Sequence, residues 1–503
     1  MEGIDHSIVN EPRSAGVLLH PTSLAGRFGV GSLGPEASEF VGFLARAGQR
    51  LWQVCPLGPT GYGDSPYQCF SAFAGNPLLV GLEQLVADGL LSSDDLADAP
   101  PAGDRVDYGA VIPWKSGLLR QAFARFARVA PPSARARLAR FEQLSARWLD
   151  DFALFMALKD AQGGRPWTEW PAEYRDRDPD AMVRFAADQR ERIALSRFQQ
   201  WLFHTQWFAL RAEAGSYGIR IIGDLPIFVA HDSADVWAHR RLFRLDEVGL
   251  PTVVAGVPPD YFSATGQLWG NPIYDWDVHR GEGFTWWSDV LASKFALYDH
   301  VRIDHFRGFS AYWSIPAGEA TAMNGEWVSS PGRELFRVVQ ERHGRLPVIA
   351  EDLGVITDDV VELIEEFGFA RMKVLQFAFQ ANERNDYLPY RYDRNAVVYT
   401  GTHDNDTVAG WVSSASEQDR RFALEYLASD GTEPEWDFIR GALASPAQFA
   451  VVPAQDLLGL GSEARMNVPG TTGGNWEFRL RPGQPSDSVA DRLRALAELY
   501  GRA

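Results

Sequence analysis

Four segments of this sequence place an acidic residue where a run of β-branched or apolar residues ends. They are Gly223-Asp224-Leu225, Val301-Arg302-Ile303-Asp304-His305, Val348-Ile349-Ala350-Glu351-Asp352 and Tyr399-Thr400-Gly401-Thr402-His403-Asp404-Asn405. Such runs read as strands buried on both faces. Carboxylates that end successive parallel strands converge on one rim of a barrel, the face on which barrel enzymes carry their chemistry. Arg302 and Asp304 stand two apart and so share a strand face. A guanidinium beside Asp304 suits a nucleophile more than a proton donor. A structural ion pair at the rim would read the same way, but His305 and Arg307 make the segment more polar than a core strand requires. Glu351 follows the apolar Leu346-Pro347-Val348-Ile349-Ala350, where partial desolvation raises a carboxyl toward the range of a working acid. An acid raised in this way beside an ionised carboxylate is the division of labour used in glycoside cleavage. Asp352 points to the opposite face and reads as structural. The cluster His403-Asp404-Asn405-Asp406-Thr407 could hold a metal, cap the next helix or grip hydroxyl groups. No second His lies at helical spacing from His403, which counts against the metal.

The elements that position these residues alternate. Candidate strands are Gly16–His20, Arg50–Leu57, Ile219–Val229, His300–Phe306, Leu346–Asp352, Met372–Phe379, Ala396–Thr402 and Phe449–Ala454. Helical periodicity follows most of them, at Pro35–Arg46, Gly332–Arg342, Asp358–Phe367, Ser416–Ala428, Glu435–Ala442 and Ser488–Tyr500. Eight strand-and-helix units predict an α/β fold, a (β/α)8 TIM barrel. Two gaps are too long for one unit. The first holds the amphipathic Leu118–Ala130, Ser133–Leu149 and Ala187–Ala214, and predicts inserted helices after the second strand. The second, after the third strand, is rich in Gly, Pro, Asp and aromatics, and predicts a large loop excursion. The expected organisation is 13–80 barrel, 81–186 a mainly helical subdomain, 187–229 barrel, 230–289 a loop-rich subdomain and 290–503 barrel. The tail is too short for a C-terminal β-sandwich. Residues 1–12, polar and without period, are expected to be disordered.

Composition narrows the function. At 503 residues with 46% hydrophobic and 23% charged residues, the chain reads as an ordinary globular enzyme. A net charge of −18 excludes a nucleic-acid or anionic-membrane partner. No signal peptide or apolar run of membrane-spanning length is present, and two cysteines, Cys55 and Cys69, suit a reducing cytoplasm. Seventeen Trp and fifteen Tyr include Trp269, Tyr274 and Trp276 in stretches without period. Flat apolar rings beside hydrogen-bonding groups suit sugar rings. Two loops present such rings. One is Gly61-Tyr62-Gly63-Asp64-Ser65-Pro66-Tyr67. The other runs from Pro258-Pro259-Asp260-Tyr261-Phe262 to Gln267-Leu268-Trp269-Gly270-Asn271-Pro272, an aromatic flap with Gly266 and Gly270 as pivots.

Arg302-Ile303-Asp304-His305, Ala350-Glu351-Asp352 and Thr402-His403-Asp404 resemble the catalytic strand ends of the α-amylase clan. Gly61–Tyr67, Gly223-Asp224-Leu225-Pro226-Ile227 and Gly266–Pro272 narrow the resemblance to 4-α-glucanotransferases of the amylomaltase type, glycoside hydrolase family 77. It runs from about Gly16 to Trp476. The resemblance implies that Asp304 is the nucleophile, Glu351 the general acid/base and Asp404 the transition-state stabiliser. It also implies substrate-binding roles for Tyr67, Asp224, Arg302, His403, Trp269, Asp260, Tyr62 and Ser65. The expected reaction is retaining transfer among maltooligosaccharides and starch- or glycogen-type α-glucans, with glucose as an acceptor, and with no cofactor or metal. A hydrolase of the same clan and a non-catalytic glucan-binding barrel are the alternatives; the second would lack Asp304 or Glu351, and both are present.

Overall fold

The computed structural model describes residues 5–259, 263–379 and 385–503. Its strands, in chain order, are β1 (Ser14–Leu18), β2 (Leu51–Gln53), β3 (Arg220–Pro226), β4 (Val253–Val257), β5 (Gln267–Pro272) and β6 (His300–Asp304). They continue as β7 (Ala311–Pro316), β8 (Glu326–Ser329), β9 (Val348–Ala350), β10 (Ala370–Val374), β11 (Ala396–Tyr399) and β12 (Phe449–Pro453). Strands β1, β12, β11, β10, β9, β6, β3 and β2 close a barrel in that order, every neighbour parallel. Each overlaps one of the eight expected runs. The helices Pro35–Arg46, Gly332–His343 and Asp358–Phe367 fall where periodicity places them.

Side-chain alternation explains how the barrel sets its rim. Leu18, Leu51, Ile222, Ile349, Met372, Val397, Tyr399, Phe449 and Val451 pack together in one buried cluster inside the barrel. Two residues further along a strand, the side chain again faces inward. That step leads from Ile222 to Asp224, from Ile349 to Glu351, and along β6 from His300 through Arg302 to Asp304.

The other end of the barrel is plugged, and here the structure corrects an expectation. Residues 5–12 are ordered: Ile8 joins the interior cluster, and the His6 ring accepts the Leu346 N–H at 2.8 Å. Glu11 is hydrogen-bonded to His300 at 3.1 Å and ion-paired with Arg220 and Arg345. The segment lacks a period because His6, Ile8 and Glu11 each meet a different partner on the barrel floor. The C-terminus is fastened beside it. Arg502 is fully buried and donates to the carbonyls of Leu443, Ser445, Ala447 and Gln448, all within 3.0 Å.

The first insertion is helical, with Tyr108–Val129 and Pro132–Ala161 preceding Arg190–Ser216, which leads into β3. The second is more ordered than its composition suggests. Strands β4 and β5 join β7 and β8 in an antiparallel sheet of order β5-β4-β7-β8, so residues 311–329 also leave the barrel course. Short strands broken by Gly and Pro hide this pairing from the sequence. At Gly256, where the β4–β5 register shifts, a Cβ would lie 2.3 Å from the Gln267 carbonyl oxygen. Among the described residues, no helix is long and apolar enough to cross a membrane.

Burial alone would raise the Glu11 carboxyl, but the His300 hydrogen bond and the Arg345 and Arg220 guanidinium groups bring it down to about 2. Its contribution to stability is therefore complete above the ordinary Glu value of ~4.3 and is lost as pH falls through about 2. Glu11→Gln is expected to cost roughly 2–3 kcal/mol at neutral pH and to flatten the fall in stability across that acid window. Denaturant titrations at stepped pH check this; equal slopes for the two proteins would refute it.

Candidate active site

Arg302 organises the rim. Its side chain is buried, with Nη1 donating to Asp224 Oδ2 at 2.7 Å and Nη2 to Asp304 Oδ1 at 2.7 Å. The parallel register of β3 and β6 sets Asp224 beside Arg302 and Pro226 beside Asp304, so one fork reaches both acids. The Tyr67 hydroxyl donates to Asp224 Oδ2 at 2.8 Å, while the other Asp224 oxygen, buried, has no partner among the described residues. Burial pushes the Asp224 carboxyl up, against the pull of Arg302.

Glu351 sits one residue beyond β9. Its Oε2 accepts the His305 N–H at 2.7 Å and its Oε1 the Leu353 N–H at 3.0 Å. His305 holds a left-handed backbone, φ 50°, and so begins the turn after β6 that carries this N–H. Burial, reinforced by the negative charge of Asp304 and opposed by Arg302, pushes the Glu351 carboxyl up to about 8. Asp352 faces away: it pairs with Arg371 at 2.6 Å and accepts the Met372 N–H at 2.9 Å.

Asp404 has the reverse balance. Burial works to raise it, but His403 and Asn467 hold it well below the usual carboxylate range. His403 Nε2 lies 3.3 Å from Oδ2, and the Asn467 amide donates to Oδ1 at 2.6 Å. Burial would lower His403, and the adjoining Asp404 carboxylate raises it instead.

The aromatic walls come from loops. Antiparallel bridging of Thr60 to Cys69 closes the loop that carries Tyr67, and Ser65 Oγ accepts the Tyr67 N–H at 3.2 Å within its turn. The Tyr67 ring stacks on His403 at 5.1 Å and 20°. Trp269, half-buried on β5, meets the His305 ring edge-on at 4.8 Å. Gly266 and Gly270 have positive φ, and Trp269 stands on β5, the edge strand of the sheet. Asp260, Tyr261 and Phe262 lie outside the described residues, as does the side chain of Tyr62.

Tyr274 and Trp276, grouped with Trp269 by sequence, are core residues. Both are buried and pack with Trp287 at 5.3 and 6.4 Å. Sequence reasoning missed three residues of the rim. Arg465 donates to the Asp404 carbonyl at 2.5 Å, Asn467 holds the Asp404 side chain, and Trp476 packs on Tyr67 at 5.6 Å and His403 at 5.7 Å. They lie in a stretch without period; only the presence of a Trp among glycines marked it. Trp476 has φ 64°, and its carbonyl accepts the buried Tyr108 hydroxyl at 2.9 Å.

The site thus offers a carboxyl that is mostly protonated at neutral pH, a carboxylate paired to arginine, a third acid held ionised, and stacked rings beside them. Residues 19–485 match the model of a family described as 4-alpha-glucanotransferase. The 4-alpha-glucanotransferase of Thermus thermophilus is 54% identical over 499 residues, covering 98% of this chain and 99% of that one. The 4-alpha-glucanotransferase of Synechocystis sp. is 49% identical over 497 residues, covering 98% of each. The amylomaltase from Streptococcus agalactiae, solved in complex with acarbose, superposes with a TM-score of 0.95 at 38% identity, covering 98% of this chain and 100% of that one. A family match that spans the barrel, with relatives alike from end to end, places this chain in glycoside hydrolase family 77, the 4-alpha-glucanotransferases.

Proposed function

We propose that this 4-alpha-glucanotransferase moves α-1,4-glucan segments from a donor to the 4-hydroxyl of an acceptor glucan or glucose by retaining double displacement. The observation that carries this reading is the pairing of a carboxyl raised to about 8, Glu351, with a carboxylate, Asp304, fixed by Arg302. Protonated Glu351 gives its proton to the glycosidic oxygen as an Asp304 oxygen attacks the anomeric carbon. The C–O bond to the departing glucan breaks, and a β-glucosyl ester of Asp304 forms. Glu351, now a carboxylate, takes the proton of the acceptor 4-hydroxyl, whose oxygen displaces Asp304 and restores an α-1,4 bond. Two inversions give net retention.

Asp404 stabilises the oxocarbenium-like state between these steps through the sugar's secondary hydroxyls, and its low pKa keeps it an acceptor throughout. The unpartnered Asp224 oxygen and His403 supply further contacts to the same ring, with Tyr67 beneath it. Trp269 and its sheet cover the acceptor side, where excluding water favours a sugar hydroxyl over hydrolysis. Maltooligosaccharides and starch- or glycogen-type α-glucans are the substrates on this reading. Two unpaired thiols, Cys55 and Cys69, accord with action in the cytoplasm.

Maltotriose alone is expected to yield glucose together with a ladder of longer oligomers; only shorter sugars would mean hydrolysis. Asp304→Asn should lower the rate by roughly four orders of magnitude or more with the unfolding midpoint kept. Because the first step needs the acid form of Glu351, kcat/KM on the alkaline side should fall as pH rises through about 8, a limb that Glu351→Gln abolishes with most of the rate. A profile flat to pH 10 would remove Glu351 from the proton-transfer role. Asn467→Ala removes a charge-assisted hydrogen bond of about 1.5–3 kcal/mol and is expected to lower kcat by roughly 10- to 100-fold with KM little changed. A change in KM alone would show that Asn467 serves binding instead.

A further inference from the structure

A second cavity lies apart from the rim. It holds about 270 Å³ and opens between the helices Pro132–Ala161, Ala234–Ala238 and Thr285–Leu297, with Ser71 and Phe73 at its inner end. No residue of the Asp224, Asp304, Glu351 and Asp404 constellation lines it. Its walls are aromatic: the Phe73 ring runs parallel to Trp148 at 6.2 Å and meets Trp286 edge-on at 6.3 Å.

Its polar groups are buried. Asp235, 5% exposed, accepts the Ala72 N–H at 2.8 Å through Oδ2. Burial raises that carboxyl, and the Ala72 N–H and the indole N–H of Trp286, on a side chain 7% exposed, oppose the rise.

Carboxylates outnumber guanidinium groups in the lining four to two, and each of them has a partner. Arg147 pairs with Asp289 through two contacts, at 2.9 and 2.5 Å. Arg241 grips Glu282 at 2.7 and 3.1 Å, and Asp151 is held by Arg177 at 2.5 Å. The Lys294 ammonium faces Asp235. Such a lining disfavours an anion, and its carboxylates already have partners that a cation would have to displace. It is too polar for a hydrocarbon. Flat ring faces bordered by planar hydrogen-bonding edges match a pyranose, with its apolar face and hydroxyl rim. The volume of about 270 Å³, just below the usual ligand cavities of about 300–1,000 Å³, suits one or two rings and excludes an extended glucan.

We infer that this cleft is a second saccharide site, separate from the reaction centre, which takes a mono- or disaccharide against Trp148 and Trp286. Its occupant would rest on the support of the catalytic loop. Besides the Asp235 bond to Ala72, the Ala234 N–H donates to the Phe70 carbonyl at 2.9 Å, and both anchors lie just beyond Tyr67.

Equilibrium dialysis against radiolabelled glucose tests this without turnover, because no donor is present; the test does not depend on the proposed catalytic roles. Leu144, exposed at the mouth of the cleft, is replaced in Leu144→Trp to obstruct it, and Trp148→Ala removes one wall. The expected result is one mole of glucose fewer per chain in a variant whose unfolding midpoint and maltotriose transfer match the unmodified protein. Unchanged stoichiometry in both variants overturns the inference. So does sugar density in soaked crystals with no loss in dialysis, which would mean binding at crystal concentration only.

Discussion

The fork of Arg302 between Asp224 and Asp304 is the interaction on which the site depends. A buried ion pair is a poor source of stability, because desolvating the charges offsets much of their attraction. Its value here is geometric. One planar guanidinium fixes two carboxylates from neighbouring strands at 2.7 Å each, and through Asp224 it also fixes the hydroxyl of Tyr67. The position of the reacting carboxylate and that of the aromatic platform are thus set by the same group. Neither can drift without the other, the kind of preorganisation that catalysis by positioning requires.

Around that fork, three acids on one rim differ because their donors differ. Glu351 receives only backbone N–H groups, from His305 and Leu353, and these do not outweigh its burial. Asp404 receives an imidazole and an amide and stays ionised in equal burial. Asp224 shares its arginine with Asp304. Strand geometry brings the acids together, but the loops that follow the strands decide what each can do. The stack of Tyr67, His403 and Trp476 extends this outward, since Trp476 also anchors Tyr108 of the helical insertion.

What could be read from the sequence follows the same division. Most barrel strands are apolar on both faces and stand out for that reason, while β6 with His300 and Arg302 and β10 with Arg371 and Lys373 are mixed; the acids that end the apolar runs stand out by contrast. The rise in Glu351 was legible because it follows from the apolar run before it. Asn467, Arg465 and Trp476 were not, because a side chain that reaches back from an aperiodic loop leaves no pattern. The sheet of β4, β5, β7 and β8 escaped notice because its strands are short and interrupted by Gly and Pro. Tyr274 and Trp276 were misplaced for a related reason: without a period, the sequence does not separate a ring that faces a substrate from one that fills a core. Residues 5–12 look like a loose terminus until Ile8, His6 and Glu11 are each seen to have a partner far along the chain.

The Arg502 guanidinium reaches the carbonyls that lead into β12, and its own carbonyl accepts the Ala15 N–H of β1 at 3.1 Å. The seam between the first and last strands is therefore clasped from outside the sheet by Arg502. In a chain still being synthesised, that clasp cannot form before Arg502 has emerged, well after β12 itself. A chain cut short just before Arg502 would hold every residue of the rim and still lack the clasp on the ring that aligns them.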